Sequence, residues 1–300
     1  MSKTVSLSAL LEGFSRQGRT LLERYGILRP LALSGGASAS DGAMMQELAH
    51  ALLSGRGEAS GVAIASDLLA IYDGADAADR TAFMHMLATR LGPDPDELNI
   101  AIALYRENGD QALPALMKAV EPPRQELLRR LNLAPGATAM LLRMREHLLV
   151  LQRQDPGLYG AVDADFVHLF GSWFNRGFLT MEEISWDSPA RLLERVIRYE
   201  AVHHIADWQD LRNRLDPADR RCFAFFHPAL PGEPLIFVEV ALTAGIADNV
   251  QHILLNEREQ LHAKDAKVAI FYSISNCQAG LKGISFGHFL IKQVAADLKR

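Results

Sequence analysis

KVAIFYSISNCQAGLKGISFGHFLIK, residues 267–292, runs from a strand into a helix through a turn that holds glycines at 280, 283 and 287. KVAIFYSI (267–274) is β-branched or aromatic at most positions, as buried strands are. After the turn, Phe289, Leu290, Val294 and Leu298 form an apolar stripe at helical spacing, and the helix is expected to continue to Arg300. Strand, glycine turn and helix together are one way to hold a phosphate. The first N–H groups of a helix lack internal partners, and the helix dipole adds positive potential there. Glycines let the backbone come close and take positive φ. Gln278 to Ser285 makes the turn, Lys282 adds a point charge, and Gly287 lies one turn into the helix. The spacing is neither G-x-x-x-x-G-K-[ST] nor G-x-G-x-x-G, so a nucleoside-triphosphate loop and a dinucleotide fingerprint are both unsupported. From these residues alone, phosphate binding and a purely structural tight turn stand side by side.

Upstream, RCFAFFH (221–227) and LIFVEVALT (235–243) read as strands, joined by the proline-rich loop HPALPGEP (227–234). The two strong strands, 235–243 and 267–274, are apolar at nearly every position, so both faces of each are expected to be covered. ADNVQHILLNE reads as a helix between them. Earlier helices are expected with Asp165 capping FVHLFGSWFNRG, Ser188 capping PARLLERVIRYE with Pro189 at its first position, and Asp207 capping WQDLRNRL. This half is α/β.

The first half shows only helical periodicity. Leu7, Leu10, Leu11, Phe14, Leu21, Leu22 and Tyr25 share a face that stops at Gly26. A second helix, capped by Ser40 or Asp41, buries Met44, Met45, Leu48, Leu52 and Leu53 and ends near Gly55. Further helices are expected at about 61–73, 76–91, 95–107, 110–120, 123–133 and 136–153, with Met140, Leu141, Met144, Leu148 and Leu151 inward in the last. DPGLYGAVDAD (155–165), rich in glycine, proline and aspartate, reads as the boundary. The domains are then 1–158, an all-α helical bundle, and 159–300, an incomplete α/β domain.

Apolar residues make up 49% and charged residues 22%, with 31 basic and 36 acidic side chains and net charge −5, which argues against a general nucleic-acid binder. No apolar run approaches the roughly 20 residues that span a bilayer. MSKTVSLSALLEGFSRQ lacks the pattern of a secretory signal; a first surface helix is preferred over a mitochondrial targeting segment. Two cysteines, Cys222 and Cys277, make neither a disulfide framework nor a zinc site.

HPALPGEPLIFVEVALT, an intervening helix, and AIFYSISNCQAGLKGISFGHFLIKQV together resemble malonyl-CoA decarboxylases; so do SWFNRGFLTMEEISWDSPARLLERV and EAVHHIADWQDLRNRL. Order and spacing agree over about 170–298, and the helical half is similar to that family's amino-terminal domain. The resemblance implies a second domain with the Gcn5-related acetyltransferase fold, in which the glycine turn after the fourth strand cradles the coenzyme A pyrophosphate. Gln278, Ala279, Gly280, Leu281, Lys282, Gly283, Ile284 and Ser285 are then the coenzyme A loop, binding chiefly through backbone amides. It implies conversion of malonyl-CoA to acetyl-CoA and carbon dioxide in fatty acid metabolism, with no cofactor and no metal, because coenzyme A is part of the substrate. It also implies a homo-oligomer assembled through the helical domain; charge and hydropathy leave no nucleic-acid or membrane partner, and a cytoplasmic enzyme is the default expectation.

The family's catalytic serine, in a Ser-Pro-Ile-Pro-Gly-Phe type segment, and its later histidine match nothing in these 300 residues. They are expected beyond residue 300, so this chain reads as the amino-terminal part of a longer enzyme, inactive alone. An acyl-CoA-dependent acyltransferase and a non-catalytic remnant acting only in assembly are the alternatives. Of the remaining side chains, His203 and His204 read as surface or cap histidines and His227 as a loop histidine, structural before ligand-touching. Ser273 and Ser275 contact either pantetheine or only the strand end, and Tyr272 lies with them where the strand enters the turn. Cys277 adjoins the turn, and LRMRE (142–146) reads as a solvated helix face.

Overall fold

A computed structural model describes residues 40–54, 58–255, 260–284 and 289–299. The expected first helix from Leu7 to Tyr25, its stop at Gly26, the stop at Gly55, Ser285, Gly287 and the side chain of Phe289 lie outside the described residues. The chain divides into two compact units between Leu169 and Phe170.

The first unit is helical throughout its described residues. In order come α1 (Asp41–Leu53), α2 (Glu58–Gly74), α3 (Ala77–Thr89), α4 (Pro95–Asn108), α5 (Leu113–Val120), α6 (Pro123–Leu131), α7 (Ala137–Gln154) and α8 (Pro156–Trp173), whose last turn enters the second unit. Local chemistry sets the starts. Ser40 accepts from the Ala43 amide, Asp76 from Asp79, and Asp94 from Asp96 and Glu97, each satisfying an otherwise orphaned N–H. Pro95 and Pro123 open α4 and α6, where their missing N–H costs nothing. The expected helix over 110–120 splits into a 3₁₀ turn, Gly109–Ala112, and α5, with Pro114 in the first turn of α5. Met45, Leu48 and Leu52 are buried in α1, and Met140, Leu141, Met144, Leu148 and Leu151 in α7, as their spacing requires.

Three expectations are overturned here. The stretch 155–165, read as a boundary, is helical from Pro156 on. Asp155 accepts from the Leu158 amide, Pro156 follows at the first position, and α8 runs through both glycines. Tyr159, Val162, Phe166, Leu169 and Phe170 keep a buried stripe along it, and that packing outweighs the helix cost of Gly157 and Gly160, roughly 1 kcal/mol each. Asp165 therefore caps nothing. It sits mid-helix, paired with Arg124 and accepting from Gln125 Nε2 at 2.6 Å. Nor is 142–146 a solvated face: Arg145 is buried and paired with Asp163 at 2.8 Å. The unit boundary falls after Leu169 instead of after residue 158.

The second unit is built on a four-stranded antiparallel sheet in the order β1 (Thr180–Ile184), β2 (Arg220–Phe226), β3 (Pro234–Thr243), β4 (Val268–Asn276). β1 was not legible. TMEEI has no apolar alternation, and it is a strand because it pairs with β2 from Thr180↔Phe226 to Ile184↔Cys222. One face of the sheet, with Cys222, Ala224, Phe226 and Phe237, packs under α9 (Ala190–Tyr199) and α10 (Trp208–Leu215) through Leu193, Val196, Leu211 and Leu215. Asp207 caps α10 as expected, but Ser188 accepts from the Ser185 amide and Pro189 takes the cap position of α9. The helix between β3 and β4 is short, α11 (Val250–Leu254), capped by Asn249. After β4 comes α12 (Phe289–Asp297), with Leu290 and Val294 buried. β3 is buried along its first eight residues, as expected of a central strand. β4 is not covered on both faces: Ala269, Ile274 and Asn276 are exposed, and its one neighbour among the described strands is β3.

Candidate functional site

The glycine turn grows directly out of β4. The Cys277 amide donates to the Leu235 carbonyl at 2.8 Å, continuing the β3–β4 pairing one residue past the strand. The Gln278 amide donates to Asn276 Oδ1 at 3.0 Å, and its side chain donates from Nε2 to the Pro234 carbonyl at 3.0 Å. Ala279–Leu281 is a 3₁₀ turn. Leu281, Lys282 and Ile284 amides donate back to Gln278, Ala279 and Leu281 carbonyls at 2.9, 3.1 and 3.0 Å. Gly283 has φ +80°, and a methyl group added there would meet nothing within 4 Å. Glycine is required at 283 by backbone conformation, not by crowding. Gly280 and Leu281 are buried, whereas Ala279, Lys282 and Gly283 are exposed. Gln278 to Ile284 thus form one continuous turn, anchored to β3 at its first residue. Within it the amides of Gln278, Leu281, Lys282 and Ile284 are committed to the turn itself, while those of Ala279 and Gly283 have no partner among the described residues.

Behind β4 lies a buried polar group that sequence reading missed. Glu200, which follows α9, accepts from Ser273 Oγ at 2.8 and 2.9 Å and from Ser275 Oγ at 3.0 Å. It also accepts from the Val202 and His203 amides at 2.8 and 2.6 Å. Ser273 and Ser275, each about 1% exposed, are therefore engaged by a carboxylate on the face of the sheet that α9 and α10 cover. His203 is not a surface or cap histidine: its Nε2–H donates to the Tyr272 carbonyl at 3.1 Å, and only His204 is exposed. Arg214 donates to the His203 and His204 carbonyls at 2.7 and 3.0 Å and pairs with Asp210 at 3.2 Å and with Glu239 at 3.4 Å.

Glu239 is fully buried in the middle of β3. Burial pushes its carboxyl up to about 8, against the pull of Arg214 and with a further push from Glu200. Its Oε1 and the Tyr272 hydroxyl are buried without a hydrogen-bond partner among the described residues. The visible signal for this group was a lone glutamate inside LIFVEVALT, since a charge in an otherwise apolar buried strand needs a partner.

His227 is committed to structure. Its Nε2–H donates to the Trp173 carbonyl at 3.1 Å, its Nδ1 accepts from the Ala229 amide at 3.1 Å, and Phe174 and Phe178 meet the ring edge-on. Burial lowers its pKa, which keeps the ring neutral in that role. Cys277 and Cys222 are buried, and burial pushes both thiols well up, so neither is a nucleophile. Among the described residues no three His, Cys, Asp or Glu side chains converge as a metal site. No helix among them is long and apolar enough to cross a membrane.

Comparison with known proteins adds the following. A family model described as the malonyl-CoA decarboxylase N-terminal domain matches residues 91–174, and one described as the malonyl-CoA decarboxylase C-terminal domain matches 177–300. Mitochondrial malonyl-CoA decarboxylase of Anser anser anser is 33% identical over 252 residues, covering 78% of this chain and 49% of that protein. The Mus musculus protein of the same name is 31% identical over 256 residues, covering 78% and 51%. Among solved structures, malonyl-CoA decarboxylase from Rhodopseudomonas palustris superposes with TM-score 0.78 at 55% identity, covering 88% of this chain and 64% of that one. The Agrobacterium vitis protein of the same name superposes with TM-score 0.79 at 55% identity, covering 86% and 62%. The chain spans about half the length of these curated relatives and somewhat under two thirds of the solved bacterial chains.

Proposed function

The chain belongs to the malonyl-CoA decarboxylase family, and from that premise we propose that its second unit binds the coenzyme A part of malonyl-CoA for decarboxylation to acetyl-CoA and carbon dioxide. The observation that carries the reading is the succession of both family domains, in order, across residues 91–300. The glycine turn gives it a location: Gln278, Ala279, Gly280, Leu281, Lys282, Gly283, Ile284 and Ser285 hold the pyrophosphate. The open space at Gly283, the amides of Ala279 and Gly283 and the exposed Lys282 cation support that placement. A fold related to the acetyltransferases is consistent with an antiparallel sheet whose fourth strand leads into this turn.

The reaction needs no organic cofactor. The bond between the carboxylate and the α-carbon breaks, carbon dioxide leaves, and the electron pair moves into the thioester carbonyl to give an enolate. The α-carbon then takes a proton. The protein must supply hydrogen-bond donors to the enolate oxygen and an acid to the carbon. The family's Ser-Pro-Ile-Pro-Gly-Phe type segment does not occur in these 300 residues. We therefore assign binding and orientation, and not the proton-transfer step, to these 300 residues. The helical unit, which leaves Ile100, Leu104, Met117 and Val120 exposed on α4 and α5, is assigned the assembly of copies. A cytoplasmic location fits the bacterial sources of the solved relatives. Titration of the chain with coenzyme A by calorimetry tests the reading: saturable binding that Gly283→Asp weakens supports it, and no binding by either protein removes it.

A further inference from the structure

Resting on that coenzyme A reading, we propose that Glu200 and His203 are positioning residues: they hold a bulge in β4 and so decide from which face of the sheet the glycine turn departs. β4 pairs with β3 as Val240↔Phe271 and then Glu239↔Ser273, which leaves Tyr272 with no partner on β3. Side chains alternate between faces along a strand, so one extra residue reverses the alternation of everything after it. With the bulge, Ser273, Ser275 and Cys277 are buried, Cys277 in the cluster with Leu193, Val196 and Leu211, while Ile274 and Asn276 point away. Loss of the bulge exchanges the two sets and sends Gln278 and the turn off the other side.

Two contacts fix the extra residue. The Tyr272 carbonyl takes its hydrogen bond from His203 Nε2–H at 3.1 Å. Glu200 accepts from Ser273 and Ser275, just past the bulge, and from the Val202 and His203 amides, so the turn that delivers His203 is tied to the strand it corrects. The Ala201 amide closes the arrangement on Ser275 Oγ at 3.2 Å. Glu200 is about 7% exposed, and no arginine or lysine among the described residues pairs with it. A buried carboxylate held only by neutral donors is a costly way to stabilise a core, and its four donors, two on β4 and two in the turn that delivers His203, tie that turn to the strand. Downstream, Cys277 on Leu235 and Gln278 on Pro234 carry the register into the turn.

The test compares His203→Leu, which removes the donor, with His203→Gln, which restores an N–H of similar reach. It uses the 300-residue chain and two readouts, hydrogen exchange at Cys277 and Gln278 and calorimetric affinity for coenzyme A. His203→Leu should speed exchange at Cys277 by about tenfold or more and weaken coenzyme A by about tenfold, with β2 amides unchanged. His203→Gln should recover both. Wild-type exchange and affinity in His203→Leu, or equal losses in the two variants, overturns the proposal. If wild-type chain takes up no coenzyme A, the binding-site reading fails and the exchange comparison still decides the bulge. Should His203→Leu not fold, Ser275→Ala, which deletes one partner of Glu200, is read by the same two measurements: faster Cys277 exchange supports the proposal and unchanged exchange overturns it.

Discussion

Gly283 is a position where a single atom matters for a stated reason. Its φ of +80° is open to glycine, and a methyl group there would touch nothing, so Gly283→Ala should cost only the conformational strain, about 1 kcal/mol. Gly283→Asp carries the same strain and adds negative charge beside the pyrophosphate. It should weaken coenzyme A by about tenfold or more beyond the alanine variant, and equal affinities in calorimetry would count against the site. Glu239 makes a different prediction. Its carboxyl is raised from 4.5 to about 8 by burial, so between those values the folded state binds more protons than the unfolded one. Its contribution to stability is therefore complete below about pH 4.5 and is lost as pH rises through 8. Glu239→Gln should remove that slope: urea midpoints of wild type and variant should diverge from pH 5 to pH 9 in favour of the variant. Parallel curves would mean that Arg214 keeps the carboxylate ionised throughout.

At the scale of elements, buried pairs separate helices that local sequence specifies from helices that packing specifies. α1, α3, α4 and α6 announce themselves with a capping side chain or a proline at the first position. α8 does so too, through Asp155 and Pro156, but its run on through Gly157 and Gly160 is fixed by Arg124 and Gln125 on Asp165 and by Arg145 on Asp163. Arg124→Met should destabilise the helical unit by roughly 3 kcal/mol or more, because it strands a buried carboxylate. Arg124→Met with Asp165→Leu should recover most of that loss in urea unfolding, and no recovery would show that the pair does more than neutralise itself. Among the strands, β2, β3 and β4 are apolar enough to be read directly, whereas β1 exists because an edge was there to pair with.

For the molecule as a whole, the proposal gives these 300 residues the binding and orientation of coenzyme A without the proton transfer. The 300-residue chain is expected to bind coenzyme A yet release no carbon dioxide from malonyl-CoA above background; robust turnover would place the proton donor inside these residues. Met117→Glu on the exposed face of α5 should lower the oligomeric state seen in sedimentation if that face joins copies, and an unchanged profile would free it from that role. The sequence by itself determined the helices of the first unit among the described residues as far as Gln154, three of the four strands, the glycine turn from Gln278 and the family, because hydrophobic period, capping residues and motif order are local properties of a chain. It missed the continuity of α8 through Gly157 and Gly160, the strand Thr180–Ile184, and the group of Glu200, His203, Arg214 and Glu239. Those were decided by tertiary structure. A buried stripe overrides weak helix propensity, an edge recruits a polar strand, and carboxylates some forty residues apart become neighbours only when antiparallel pairing and the helices above it bring them to one face of the sheet.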